Sequence, residues 1–155
     1  DIVSEQVSYV NAPVLAEQRG IAVRLITTPD VDDYRNLLTI RGALSDGTQL
    51  EVAGTLTGPK QIQKLVGVNG YDLEIPISEH LLVLLYQDRP GVIGALGRIL
   101  GEADVNIAGM QVARNSEGGQ ALSLLTVDSS VPQDVLETVR EAIGATVARE
   151  VDLQD

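Results

Sequence analysis

The residues best suited to chemistry lie in one short stretch, Tyr86-Gln87-Asp88-Arg89-Pro90-Gly91-Val92-Ile93, which ends an apolar run. Pro90 suits the first position of a helix, and the first turn of a helix has no intrahelical acceptors for its amides. The amides of Gly91, Val92 and Ile93 are therefore free to bind an anion such as a carboxylate. The carboxylate of Asp88 suits an ammonium group. This combination is typical of a site for a small amino acid.

The glycines that follow do not match a nucleotide-binding loop. Gly91, Gly94 and Gly97 are spaced G-x-x-G-x-x-G, whereas the dinucleotide fingerprint is G-x-G-x-x-G with an acidic residue about 20 positions later. Met110 stands near that position instead. We interpret Gly94, Gly97 and Gly101 as positions that let a helix lie close to a sheet or to a partner.

The composition excludes most catalytic chemistry. The 155 residues contain no Cys and one His, so disulfides, thiolate nucleophiles and Cys-ligated metal sites are excluded. No Gly-x-Ser-x-Gly elbow accompanies the histidine, His80, which we interpret as an ordinary surface or linker residue. The sequence therefore predicts no catalytic residue, no metal site and no cofactor within this chain.

Charge and hydropathy limit the partners of the chain. Acidic residues outnumber basic ones 22 to 11, which gives a net charge of −11. This balance disfavours nucleic acid and anionic membranes, both of which need an electropositive surface. No run approaches the roughly 18 apolar residues of a membrane span, and the N-terminus lacks a signal-peptide pattern. We expect no nucleic-acid or membrane partner and a cytoplasmic location.

The pattern from residue 78 onwards predicts a β-α-β-β-α-β domain. A continuous apolar run is typical of a buried strand, and apolar residues at four-residue spacing indicate two amphipathic helices. The expected order is strand, helix, two strands joined by a Gly-rich loop, helix and strand. These elements are predicted at residues 81–86, 90–103, 105–114, 120–127, 129–143 and 146–153.

The first 77 residues predict a smaller α+β region. The apolar spacing of Val3, Val7 and Val10 indicates a helix, and a short helical turn is expected over 14–18 after an interruption at Asn11-Ala12-Pro13. Alternating apolar residues and turn signals predict a series of strands. These strands are expected at 21–27, 37–44, 50–57, 61–68 and 71–75. Pro76 and the change of pattern predict two domains, 1–77 and 78–155.

Two groups of motifs resemble known domains. The stretch 86–93, with Glu102-Ala103-Asp104-Val105-Asn106-Ile107-Ala108 after it, resembles an ACT domain, the small-molecule-sensing module of amino-acid metabolism. Tyr9-Val10-Asn11-Ala12-Pro13 and Gly54-Thr55-Leu56-Thr57-Gly58-Pro59 resemble the intervening domain that precedes the ACT domain in long-form D-3-phosphoglycerate dehydrogenases. The implied fold class is α+β, with an intervening domain truncated at its N-terminus followed by a ferredoxin-like ACT domain.

The resemblance implies a regulatory role without catalysis. In that family, ACT domains pair side by side, and L-serine, the pathway end product, binds between two of them. By position, Tyr86 and Asp88 match serine contacts from one subunit, and Asn106 matches the contact from the other. The implied partners are L-serine, a second copy of the chain and upstream dehydrogenase domains, which carry the NAD cofactor.

Other interpretations stay open at this stage. Asp88 alone could be a helix N-cap, Asn106 a turn residue and Tyr86 a core residue, although the three together favour a site. The chain could be an oligomerisation module that binds no ligand. It could also be the regulatory part of an iron–sulfur L-serine dehydratase, which has a similar arrangement of two domains.

A second, weaker site is suggested by the lysines of the intervening region. Some long-form members bind their phosphorylated substrate or another anion there through basic residues. This chain has Lys64 at one such position and Lys60 nearby, but Pro76 and Thr126 where other members have arginines. Lys60 and Lys64 therefore form at most a weak anion site, and solvated lysines on an exposed strand are the simpler interpretation.

Overall fold

The computed structural model describes residues 7–29, 34–44 and 46–153, and the chain divides near residue 32 into two compact units. Its three described helices and eight strands give a mixed α+β fold with antiparallel sheets, as predicted. They are α1 (Ala12–Gln18), β1 (Leu38–Ala43), β2 (Gln49–Thr57), β3 (Ile62–Val68), β4 (Tyr71–Pro76), β5 (His80–Gln87), α2 (Val92–Glu102), β6 (Ile107–Arg114), β7 (Gln120–Val127), α3 (Gln133–Ile143) and β8 (Val147–Asp152). Within the described residues, no helix is long and apolar enough to cross a membrane.

The second half of the chain has the predicted β-α-β-β-α-β order and forms an antiparallel sheet with strand order β6-β7-β5-β8. Leu82 and Leu84 of the central strand β5 belong to the core formed with α2 and α3. Val83 and Leu85 point to the opposite face and pack against the apolar cluster that includes residues of β4. Because both faces of β5 are covered, its sequence is apolar without alternation.

The first helix of this half begins later than predicted. The N-cap of α2 is Gly91, whose φ of 92° lies in the left-handed region that favours glycine. Pro90 therefore precedes the helix and is not its first residue, which corrects the prediction. The sharp turn at Gly91 directs the chain from the end of β5 into α2, whose buried residues Leu96 and Leu100 then face the sheet.

The first half contributes a separate antiparallel sheet with the order β1-β2-β3-β4. Its strand β4 packs against β6 and β7. Leu73 and Ile75 of β4 form a small core with Leu122 and Leu124 of β7. The predicted boundary at residues 76–79 falls between β4 and β5 and stays a prediction, since both sheets belong to the same compact unit.

Two predictions for the first 29 residues are wrong. Residues 21–28 form no strand, and Ile21, Val23 and Leu25 are 56%, 75% and 87% exposed. Alternation indicates a strand only where a neighbouring strand supplies hydrogen bonds and cover, and none does so in the described residues. The helix expected through Val10 is also absent over 7–10, and Val3 lies outside the described residues. Helix α1 begins at Ala12 with Pro13 in its first turn.

His80 is not a surface or linker residue, contrary to the prediction. It begins β5 and is buried, because strands β7 and β8 flank β5 on both sides. Its Nδ1 lies 3.1 Å from Oε1 of Glu150 on β8. The other carboxylate oxygen of Glu150 accepts hydrogen bonds from the Ser130 hydroxyl and the Val131 amide. This cluster joins β5, β8 and the segment that leads into α3.

Candidate functional site

A surface cavity of about 350 Å³ opens at the N-terminus of α2. It is lined by all the residues predicted to bind an amino acid from one subunit. These are Tyr86, Asp88, Pro90, Gly91, Val92 and Ile93. The structure adds lining residues that the sequence analysis did not identify. These are Arg89, Gly94, Val112 and Arg114.

The junction between β5 and α2 sets the geometry of the cavity. The Asp88 amide donates to the Gly119 carbonyl at 2.7 Å, which fixes the chain just after β5. The Ala95 amide donates to the Gly91 carbonyl as α2 begins. The amides of Val92, Ile93 and Gly94 precede that bond and have no acceptor within the helix. No side chain caps this end of α2, so its partial positive charge faces the cavity.

Tyr86 lines the cavity and also belongs to the core. Its side chain is buried, and its hydroxyl lies 2.8 Å from the hydroxyl of Ser123 on β7. The core interpretation and the lining interpretation of Tyr86 are therefore compatible. Because the hydroxyl is bonded to Ser123, the ring is the part of Tyr86 that we expect a ligand to contact.

Asp88 is paired with Arg114 and does not cap the helix. Asp88 Oδ2 lies 3.1 Å from Nη1 of Arg114, the last residue of β6. The N-cap alternative for Asp88 is therefore not realised. Arg89 also lines the cavity, but its guanidinium donates to the carbonyl of Ala142 in α3 at 3.3 Å. Two cations and one anion thus surround the cavity of a strongly acidic chain.

Arg114 could have been found from the strand register. In the sheet, Arg114 pairs with Ala121, and Ala121 pairs with Tyr86 on the other side. The predicted strands 105–114 and 120–127 bring Arg114 beside the end of the first strand if they form a hairpin. The sequence pattern identified Arg114 only as the end of a strand, and its charge was missed as a feature of the cavity.

Asn106 lies far from the cavity in the same chain. It precedes β6, whose first residue Ile107 is level with Val127 and His80 at the opposite end of the sheet. Arg114 lies eight positions after Asn106 along the strand, which is roughly 26 Å at about 3.3 Å per residue. Its amide group donates to Asp128 Oδ2 at 2.7 Å. One chain therefore does not bring Asn106 and Asp88 together.

The lysines of the intervening region are arranged differently from an open anion site. Lys64 on β3 is ion-paired with Glu74 on β4, so a negative side chain already neutralises its charge. Lys60 is exposed in the turn between β2 and β3. Pro76 is level with Lys64 in the ladder between β3 and β4. The weak anion site at Lys60 and Lys64 stays a prediction.

Comparisons with known proteins divide the chain in the same way as its motifs. A family model described as "ACT domain" matches residues 80–144, and one described as "D-3-phosphoglycerate dehydrogenase intervening domain" matches residues 1–69. A D-3-phosphoglycerate dehydrogenase of Mycobacterium leprae is 37% identical over 152 residues, which are 98% of this chain and 29% of the relative. The enzyme of the same name from Synechocystis is 34% identical over 151 residues, 96% of this chain and 26% of the relative.

A Bacillus subtilis relative of the same name is 30% identical over 151 residues, which are 97% of this chain. The matched part is 28% of the length of that relative. The chain thus spans less than a third of the curated relatives that it matches. Together, the matches to the two family models and to these relatives cover both halves of the chain.

Proposed function

We infer from its family that this chain senses a free amino acid. The chain belongs to the regulatory regions of D-3-phosphoglycerate dehydrogenase in which an intervening domain is joined to an ACT domain. The observation that carries this proposal is the cavity at the start of α2, where the Asp88 carboxylate lies near the positive end of a helix. These two features are complementary to the ammonium and the carboxylate of an α-amino acid.

The ligand that we assign is L-serine, the end product of the pathway that this family opens. A cavity of about 350 Å³ is near the small end of the range for ligand pockets, which suits a ligand of this size. Its binding would provide feedback control of the dehydrogenase. In this proposal, NAD binding and catalysis belong to the other domains of the enzyme. The named relatives are dehydrogenases, which supports this assignment over the dehydratase alternative.

The separation of Asp88 and Asn106 supports a site shared between two copies of the chain. In the described part of the chain, β6 is an edge strand of its sheet. If two β6 strands pair antiparallel about a two-fold axis, the Asn106 end of each strand meets the Arg114 end of the other. Each of the two resulting sites would then contain Asp88 from one copy and Asn106 from its partner.

A second function, self-association without a ligand, is favoured by the open face of α2. Apart from the backbone of α2 itself and the adjoining residues, no heavy atom of the described residues lies within 4 Å of a Cβ built on Gly94, Gly97 or Gly101. A partner backbone can therefore approach this helix closely. This face needs no ligand to form an interface, so association and amino-acid binding must be measured separately.

Calorimetric titration of the chain with L-serine tests the proposed function, and sedimentation equilibrium tests association. We expect saturable heat and a dimer or larger species. Asp88→Ala should weaken L-serine binding by roughly 30-fold or more, because it removes one partner of a charge-assisted contact. Asp72→Ala, at an exposed position on β4, is the matched control and should bind normally. Association without heat at millimolar L-serine would favour the oligomerisation module, and a monomer without heat would contradict both functions.

A further inference from the structure

We propose that Arg114 makes the cavity selective for zwitterionic amino acids, an inference that rests on the proposed function of the same cavity. Arg114 Nη1 lies 3.1 Å from Asp88 Oδ2, and both residues line the cavity. Arg114 thus holds the carboxylate that the ammonium of the ligand requires. An amino acid must replace Arg114 as the partner of Asp88, and it carries a carboxylate that can bind the displaced guanidinium.

This exchange keeps every charge paired. When a zwitterion enters between the two side chains, one ion pair opens and two form, from Asp88 to the ammonium and from the ligand carboxylate to Arg114. An amine without a carboxylate would take Asp88 and leave the guanidinium unpaired. An acid without an ammonium would leave Asp88 unpaired. A ligand with only one of the two groups forms one ion pair in place of the one it opens, whereas a zwitterion forms two, so the pair favours ligands that carry both groups.

The exposure of the pair makes the exchange feasible. The Arg114 side chain is 59% exposed and that of Asp88 is 23% exposed. Exposed ion pairs contribute little net stability, so a ligand that supplies a replacement for each partner can open this one. The guanidinium presents its donors in a planar fork that matches a carboxylate. The nearby amides at the start of α2 can bind the same carboxylate, which places it between two positive groups.

Arg89 shows that this role does not belong to every cation of the cavity. It lines the same space, but its Nη2 donates to the Ala142 carbonyl in the last turn of α3. A cation at the C-terminal end of a helix stabilises that end. Arg89 therefore contributes to the packing of α3 and has no contact with Asp88 among those described.

Calorimetric titration with L-serine and with L-serinamide tests the inference. L-Serinamide keeps the ammonium and the hydroxyl but has no carboxylate. The wild-type chain should prefer L-serine by about 30-fold or more. Arg114→Gln should reduce that preference by about 10-fold or more, and it should bind L-serinamide at least as tightly as the wild type because Asp88 is released. Arg41→Gln removes the arginine of another exposed ion pair, with Glu51 on β2, outside the cavity lining, and should keep the wild-type preference. Thermal unfolding confirms that each variant is folded.

The outcomes separate this inference from the function on which it rests. If Arg114→Gln keeps the full preference for L-serine while Asp88→Ala still weakens binding, the role of Arg114 is contradicted and the amino-acid site stands. If Arg114→Lys, which keeps the charge without the fork, retains an intermediate preference, the inference is supported. If the wild-type chain binds neither ligand, the proposed function and this inference both fail.

Discussion

The two sheets of the molecule differ in how they are covered. The sheet β6-β7-β5-β8 has α2 and α3 on one face and contacts from β4 on the other, so its central strand is buried. The sheet β1-β2-β3-β4 is covered mainly near β4, and Leu38 and Ile40 on β1 are each 65% exposed. The cavity lies at the end of the well-covered sheet. A site that holds charges in fixed positions requires this kind of packed support.

The largest difference in stability should be between a buried leucine of α2, which covers the sheet β6-β7-β5-β8, and an exposed leucine of the sheet β1-β2-β3-β4. Leu96 of α2 is fully buried, so Leu96→Ala should lower the free energy of unfolding by about 2–5 kcal/mol. The same change at Leu38 should cost less than about 0.5 kcal/mol, since that side chain is mostly in water. Urea denaturation followed by circular dichroism measures both. Similar losses for the two variants would show that β1 is covered in solution and would contradict the comparison.

The next effect concerns the hydrogen bond beneath the cavity. Tyr86→Phe leaves the buried Ser123 hydroxyl without its 2.8 Å partner, which should lower the free energy of unfolding by about 1–3 kcal/mol. Adding Ser123→Ala removes the unpaired group and should restore part of the loss. The same denaturation measurement applies to both variants. If the double variant is as unstable as the sum of the two single variants, the hydrogen bond is not the cause.

A smaller effect of opposite sign is expected at the open face of α2. Gly97→Ala adds a methyl group that meets no heavy atom of the described residues outside its own helix within 4 Å, and alanine favours a helix over glycine by about 1 kcal/mol. The variant monomer should therefore be slightly more stable. Its self-association should be weaker if a second copy packs on this face. Sedimentation equilibrium at several concentrations measures the change, and unchanged association would remove α2 from the interface.

The smallest effect concerns the exposed hairpin of the first sheet. The Thr48 amide donates to Asp46 at 2.8 Å and lowers the pKa of that carboxyl below its ordinary value of 3.8. Because the pKa of Asp46 is lower in the folded state than in the unfolded state, its ionised carboxylate stabilises the folded hairpin at pH values above the unfolded-state pKa. This contribution is lost as the pH falls through the folded-state pKa. Asp46→Asn should abolish this acid dependence. An NMR titration of the Thr48 amide measures it, and an unchanged acid response in the variant would assign it to another carboxyl.

The predictability of the fold also differs between the two regions. The covered half could be predicted from its sequence because its core residues recur at helical spacing and its central strand is apolar throughout. The alternation in 21–27 wrongly predicted a strand, because periodicity does not reveal whether a partner strand is available. The burial of His80 was missed for a related reason. It depends on strands β7 and β8, which lie 40 or more residues later in the chain.

The residues that line the cavity were predicted where they are consecutive in the sequence and missed where they are not. The residues from Tyr86 to Ile93 follow a local motif, and the structure places all those predicted from it around one cavity. Arg114 reaches the cavity through the register of β6, β7 and β5, which a local pattern does not contain. Asn106 belongs to the site only if a second copy is present, and no property of the single chain tests that prediction.

Mixing two inactive variants tests the shared site most directly. Asp88→Ala and Asn106→Ala should each bind L-serine weakly. After equal amounts of the two exchange subunits, a mixed dimer should contain one site with both residues intact. Roughly one quarter of all sites should then recover wild-type affinity in a calorimetric titration, as expected for random two-fold pairing. Subunit exchange without any recovery of binding would contradict a site that takes Asp88 from one copy and Asn106 from its partner.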